Sequence, residues 1–166
     1  MKKVIMVLML MAPMATFAQK FGHVDAQSIM QAMPEFIKAR GDLEAQAKEY
    51  ENDLKAMQDE LQRKFEEYDK TKSTMNTTKQ QETETELQQM NMKIQQASQD
   101  YQQQINKMQQ EKIAPIMNKI TTAIQNVGKN GGYVYIMDAS MGIPYISQTL
   151  SKDVTADVKA EIQKMK

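Results

Sequence analysis

The chain has 166 residues, 25% of them charged and 41% hydrophobic, with 21 basic and 21 acidic side chains, one His, and no Cys or Trp. Without cysteine there is no disulfide framework, zinc–thiolate site or thiol nucleophile, and a single His cannot build a multi-His metal centre. The balanced charge gives no reason to expect nucleic acid as a partner.

Residues 1–18 read as a cleaved secretory signal peptide. Lys2 and Lys3 precede the apolar run Val4–Ala12, Pro13 breaks it, and Thr16-Phe17-Ala18 offers small residues at the −3 and −1 positions. The run is shorter than the roughly 20 residues a membrane span needs. Cleavage would leave a chain starting near Gln19, slightly acidic because two lysines go with the leader. Export to an oxidising compartment is expected. Without disulfides, stability there must come from packing or from association of copies.

Phe21-Gly22-His23-Val24-Asp25 reads as a strand, and Asp25 can cap a short helix from Ala26 to Met33. Pro34 ends that helix and suits the first position of the next.

From Asp42 to Val127 there is no Gly and one Pro, Pro115. Good helix formers fill the stretch. Phe36, Leu43, Ala47, Tyr50, Leu54, Met57, Leu61 and Tyr68 follow a 3–4 alternation, the seam of a coiled coil. Arg40 and Lys64 occupy two seam places, and Phe65 stands one residue off. Ser73–Thr78 interrupts the pattern with turn-forming residues, so the helix is expected to reverse there. The seam resumes at Leu87, Met90, Ile94, Ala97 and Tyr101. Ile94, Ile105, Ile116 and Val127 then recur every eleven residues, a spacing that suits a straight or slightly right-handed course. Helices over about 34–72 and 79–127 would measure about 57 and 74 Å. Pro115 is expected to kink the second helix and Gly128 to stop it. Residues 80–110 hold twelve Gln. Regular apolar spacing among them favours a solvated helix face over a disordered tract.

Past Gly131-Gly132, Tyr133–Met137 reads as a strand apolar on both faces, Asp138–Gly142 as a turn, and Ile143–Ser147 as a second strand with Pro144 at an edge. Thr155 is expected to cap a final helix whose apolar face is Val154, Val158, Ile162 and Met165. The fold class is therefore α+β. A long antiparallel helical hairpin (34–127, tip about 73–78) projects from a small β-containing body (19–33 and 128–166). Phe21, Val24, Val134, Ile136, Ile143 and Ile146 are the expected oligomerisation residues of that body, because so few strands leave edges and apolar faces uncovered.

Three segments resemble the Skp/OmpH family of periplasmic chaperones. They are Phe21–Asp25 with its amphipathic turn, Ala114–Ile120 leading through Ala123-Ile124 to Gly132–Asp138, and Asp153–Val158. The resemblance spans the chain beyond the leader. It implies a jellyfish-like homotrimer whose three hairpins surround a cavity. Unfolded outer-membrane proteins would be held there without ATP and passed to the outer-membrane assembly machinery. Well-known members are strongly basic. This chain is not, and near the tip Glu82, Glu84 and Glu86 offset the lysines, so lipid or lipopolysaccharide contact is not expected.

A holding chaperone needs weak, repeated, forgiving contacts, which flexible Met side chains supply. Eleven of the 16 Met lie beyond residue 18. Met75 and Met92 are candidate client contacts, together with Phe65 and Tyr68. Met57, Met90 and Met108 fall near seam spacing and read as hairpin core. A His23–Asp25 relay would need a nucleophile and no motif presents one, and no phosphate loop, dinucleotide fingerprint or calcium loop occurs, so no catalytic residue, metal or cofactor is expected. A structural coiled-coil spacer of the cell envelope is the alternative reading. It would lack the ability to keep a denatured protein soluble.

Overall fold

The computed structural model describes residues 19–165; the signal peptide read at 1–18 lies outside the described residues. In chain order the elements are β1 (Lys20–Val24), α1 (Ala26–Ala32), α2 (Pro34–Thr71), a 3-10 turn (Lys72–Thr74), α3 (Thr77–Gly131), β2 (Tyr133–Asp138), a 3-10 turn (Ala139–Met141), β3 (Ser151–Asp153) and α4 (Thr155–Lys164). The architecture is α+β, as the sequence pattern predicts. Two compact units divide it. One holds the described residues up to Ala26 and those from Thr122 onward; the other is Gln27–Thr121.

The first unit is built on a three-stranded sheet in the order β2-β1-β3. Both pairings are parallel, with Phe21 opposite Tyr135 and Val24 opposite Asp138, and with Phe21 opposite Ser151 on the other side. Parallel neighbours need long crossovers, and here the chain between β1 and β2 contains α1, α2 and α3. Val24, Ala123, Val154, Val158 and Ile162 are buried. Val158 and Ile162 share one face of α4, with Val154 at its N-cap in line with them, because positions four apart share a helix face. Cross-links between distant parts of the chain close this unit. The Val154 amide donates to the His23 carbonyl at 2.9 Å. The Asp25 amide donates to the Thr155 hydroxyl at 3.0 Å, and the Ala26 amide to Asp138 Oδ1 at 3.3 Å.

Three sequence expectations change here. Gly128 does not stop the second long helix; α3 runs on to Gly131. The stop is Gly132, whose φ of +66° is a conformation that side chains resist, and whose amide donates to the Lys129 carbonyl. Gly128 instead sits beside Ile136, whose Cδ1 would lie 3.5 Å from an added Cβ. Ile143–Ser147 is not a strand. Pro144 has no N–H to give a ladder, and the third strand is the polar Ser151–Asp153. Ser147 makes a turn ahead of it, its hydroxyl accepting from the Leu150 amide and its carbonyl from the Ser151 amide. Finally, Asp153 takes the capping role expected of Thr155. Its Oδ1 accepts from the Thr155 amide at 2.8 Å, while the Thr155 hydroxyl oxygen accepts from the Asp25 amide.

Gly131 and Gly22 make room for one ring. A Cβ on Gly131 would fall 2.5 Å from the Tyr133 ring, and one on Gly22 would fall 3.1 Å from it. Lys20 Nζ stands 4.3 Å from the same ring centroid and donates to the Gly131 carbonyl.

In the second unit, α2 and the N-terminal part of α3 pair antiparallel. Tyr50 and Tyr101 stack with ring centroids 4.1 Å apart and planes within 2°. Lys64 bonds Glu86, Lys112 reaches Asp42 at 2.7 Å, and Lys119 reaches Glu35 at 3.1 Å. The partly covered residues of α2 include Ala39, Leu43, Gln46, Tyr50, Leu54, Met57, Leu61, Lys64 and Tyr68, a 3–4 alternation. The seam places expected for Arg40 and Ala47 belong to Ala39 and Gln46, one residue earlier. Burying Ala39 costs nothing in charge and lets the helices approach; burying Arg40 would strand a cation. On α3 the eleven-residue series is visible in the covered Ile94, Ile105, Ile116 and Val127. The helix continues through Pro115, which cannot donate to the Glu111 carbonyl.

The reversal falls where the turn residues stand. α2 ends at Thr71, and Asn76 starts α3. Its side-chain oxygen accepts from the Lys79 amide at 2.9 Å and its carbonyl accepts from the Gln80 amide, a side-chain N-cap. Gln80 Nε2 donates back to the Lys72 and Met75 carbonyls, satisfying groups that the helix end leaves open.

Candidate client-binding and association surfaces

The four expected client contacts occupy different settings. Phe65 is 54% exposed and Met92 is 59% exposed. Met75 is half-buried in the reversal. Tyr68 is buried on the seam, where its hydroxyl donates to Glu84 Oε1. The Glu84 carboxylate that accepts this bond raises the phenol above its ordinary pKa. Tyr68 is thus a seam residue whose ring reaches a surface groove, not an exposed contact.

That groove brings two of the four together. Leu61, Gln62, Phe65 and Tyr68 of α2 and Glu84, Leu87, Gln88 and Asn91 of α3 line an open groove of about 650 Å³. Phe65 reaches it because it stands one residue past a seam place occupied by Lys64. A residue there lies on the flank of the helix, turned neither fully inward nor away. Met75 and Met92 do not line it. Sequence reasoning missed Leu87, Glu84, Gln88 and Asn91 as neighbours of Phe65. Leu61 and Leu87 carry the apolar stripe in both helices, but which residue faces which depends on the hairpin register.

A second groove, of about 340 Å³, lies where α2 and α3 pair near Pro115, lined by residues that include Met33, Ala39, Pro115 and Ile116. Glu35 and Asp42 rim it. The Lys112 ammonium, and after it Lys38, hold the Asp42 carboxyl below its usual range. Glu35 is lowered first by its own backbone amide and then by Lys119. Ile37 and Met117 are further exposed apolar side chains of this unit.

The sheet-bearing unit shows a different surface. Val134 is 59% exposed, and Tyr135, Met137, Met141, Tyr145 and Leu150 are exposed with it. β2 is an edge strand, so among the described residues its outer backbone groups have no strand partner in one copy. Phe21 is half-buried, its ring tilted against Tyr135 at 4.8 Å. Ile136, Ile143 and Ile146 are also half-buried. Of the six residues expected to join copies, Val24 is 1% exposed and belongs to this unit's own core; it cannot touch a neighbour. Ile143 and Ile146 sit on an irregular segment rather than a strand.

His23 Nδ1 and the Ser151 hydroxyl are 2.9 Å apart across β1 and β3. Among the described residues no group of three or more His, Asp or Glu could hold a metal ion, and no helix is long and apolar enough to cross a membrane.

Comparison with known proteins places this architecture. A crystal structure of a candidate outer membrane chaperone (OmpH-like) from Caulobacter crescentus CB15 is similar, with a TM-score of 0.74 and 14% sequence identity; the match covers 88% of this chain and 85% of that one. At that identity the likeness speaks for the fold alone. A comparison with curated proteins gives no match. The outer membrane protein (OmpH-like) family matches residues 20–162. With nearly all of its described length inside that match, the chain belongs to the OmpH-like family.

Proposed function

We propose that this protein is an ATP-independent holding chaperone of the periplasm that keeps unfolded outer-membrane proteins from aggregating. The observation that carries the reading is the set of exposed apolar side chains on the helix pair, Ile37, Phe65, Met92 and Met117, in a chain of the OmpH-like family. A self-contained helical spacer gains nothing from such residues. A surface that grips many sequences loosely needs them, because each partial apolar contact contributes less than the roughly 1.5–3 kcal/mol of full burial and can be surrendered again. Several such contacts facing one guest act together as a multivalent trap. Folding of the client elsewhere then removes it from the equilibrium, so no nucleotide is required.

Association of copies completes the proposal. The exposed Val134, Tyr135, Met137, Tyr145 and Leu150 and the open edge of β2 suit contact between copies. Three copies would set three helix pairs around one space. The leader would direct export and be removed. No catalytic step is part of this reading.

The test is direct. Purified chain lacking residues 1–18 is mixed with a urea-denatured outer-membrane β-barrel protein, which is then diluted into buffer. Light scattering should stay low at about one trimer per client, with no nucleotide present. Unchanged scattering, against a buffer control, would favour the envelope spacer. Sedimentation equilibrium of the same sample should return three times the chain mass.

A further inference from the structure

The groove beside Phe65 has a chemistry more specific than general stickiness. Its floor is apolar, from Leu61, Leu87 and the Tyr68 ring, and Phe65 forms an exposed aromatic wall. The one charged residue lining it is Glu84. Among the described residues no lysine or arginine lines it. Tyr68 occupies Glu84 Oε1, and the carboxylate carries a second oxygen, Oε2, with which to accept from another donor. Gln88 and Asn91 supply amide groups along the rim, and Gln62, whose Nε2 donates to Glu66, presents its amide oxygen, groups suited to the backbone of an extended segment. At about 650 Å³ the space falls within the range of small-molecule sites and exceeds the needs of one ring.

We propose that this groove holds an aromatic side chain of an unfolded client segment in which a lysine or arginine stands next to the ring. This rests on the chaperone reading and names the segments the helix pair prefers. The ring packs against Phe65, where aromatic pairs gain beyond their buried area, and the cation lies against Glu84. A client segment with an acidic residue beside its ring meets Glu84 as a like charge.

Three short unstructured peptides carrying a fluorescent label test this on the chain lacking residues 1–18. One has Trp flanked by Lys, one has Trp flanked by Glu, and one has Ala in place of Trp between Lys residues. Fluorescence anisotropy should rank them in that order, with the Lys–Trp peptide about two- to fivefold tighter than the Glu–Trp peptide, the range an exposed charge pair supplies. Glu84→Gln keeps an oxygen for the Tyr68 hydroxyl and should erase the Lys-over-Glu preference without unfolding the hairpin. Phe65→Ala, at an exposed position, should weaken both Trp peptides and leave the Ala peptide unchanged. Circular dichroism of each variant should match the parent. Equal binding of the Lys–Trp and Glu–Trp peptides, no binding of either, or a preference that survives Glu84→Gln would overturn the proposal. The scattering assay separates the two failures. A chain that keeps the barrel protein soluble while ranking the peptides equally loses only the groove; one that fails to keep it soluble loses the chaperone reading.

Discussion

The sheet-bearing unit and the helix pair solve the burial problem differently. In the first, Val154 and Val158 are wholly buried, Val24 nearly so, and residues from both ends of the chain converge on them. In the second, each helix has one neighbour and can cover one stripe. Fuller burial in this unit is confined to Ile29, Met33, Ala39, Ile116 and Ile120, toward the α1 end of the pair; farther along, the seam residues Tyr68 and Ile94 keep 9% and 8% exposure in helices that are otherwise mostly open. The lesson concerns division of labour. The first unit concentrates stability in a few aliphatic contacts, while the second, beyond its α1 end, spreads it thinly along the helices and leaves apolar side chains outside. Surface ion pairs such as Lys55–Asp59 and Arg63–Glu60 decorate the helices, but exposed pairs add little to stability.

If that contrast is right, truncation should hurt most in the sheet-bearing unit. Val158→Ala removes a wholly buried side chain from α4 and should cost about 2–3 kcal/mol, read as a lower urea midpoint. A loss no larger than that of a seam truncation would break the comparison. Gly131→Ala comes next. The new Cβ would fall 2.5 Å from the Tyr133 ring, which Gly22 confines from another side. Overpacking of this kind should cost about 1–3 kcal/mol, and near-ultraviolet circular dichroism should report the displaced tyrosine.

In the helix pair, Tyr50→Leu keeps apolar bulk but loses the stack on Tyr101. It should cost about 1 kcal/mol, seen in thermal unfolding followed at 222 nm. A larger loss would mean that the stack, and not the distributed seam, holds the register.

The smallest effect is one of pH. Asp153 is held below its ordinary pKa first by the Thr155 hydroxyl and then by the Thr155 amide, while Asp42 is lowered first by Lys112. A carboxyl that binds its proton less readily when folded stabilises the fold above its unfolded pKa. That stabilisation disappears as pH falls through the lower, folded value. Stability should therefore begin to decline below about pH 4. Asp153→Asn should flatten part of this decline, and Asp42→Asn another part, in acid titrations at fixed urea.

Much of the fold was legible one residue at a time. Pro34 could open a helix and does. The turn-forming residues at 73–78 could not sit inside a coiled-coil seam, and the chain reverses there. The unbroken apolar run Tyr133–Met137 marked a strand, and Val154, Val158 and Ile162 marked one buried face. These signals are local, set by backbone preference and by periodicities of two or 3.6 residues. The errors came where two local readings were equally allowed. Gly128 and Gly132 could each end a helix, and only the approach of Ile136 and the positive φ at Gly132 separated their roles. Ile143–Ser147 had strand composition, yet the partner that β1 takes is the polar Ser151–Asp153.

The candidate site shows the same boundary more sharply. Composition and spacing determined that two long helices with thin apolar stripes would form, and that Phe65 and Met92 stand off those stripes. Only the tertiary structure decided that Tyr68 turns inward to Glu84, and that Phe65 shares a groove with Leu87 and Asn91. The reason is that contacts within a helix follow from its own pitch, whereas contacts between helices depend on register. Register is settled by all the cross-helix pairs together, such as Tyr50 on Tyr101 and Lys112 on Asp42, and no single segment encodes it.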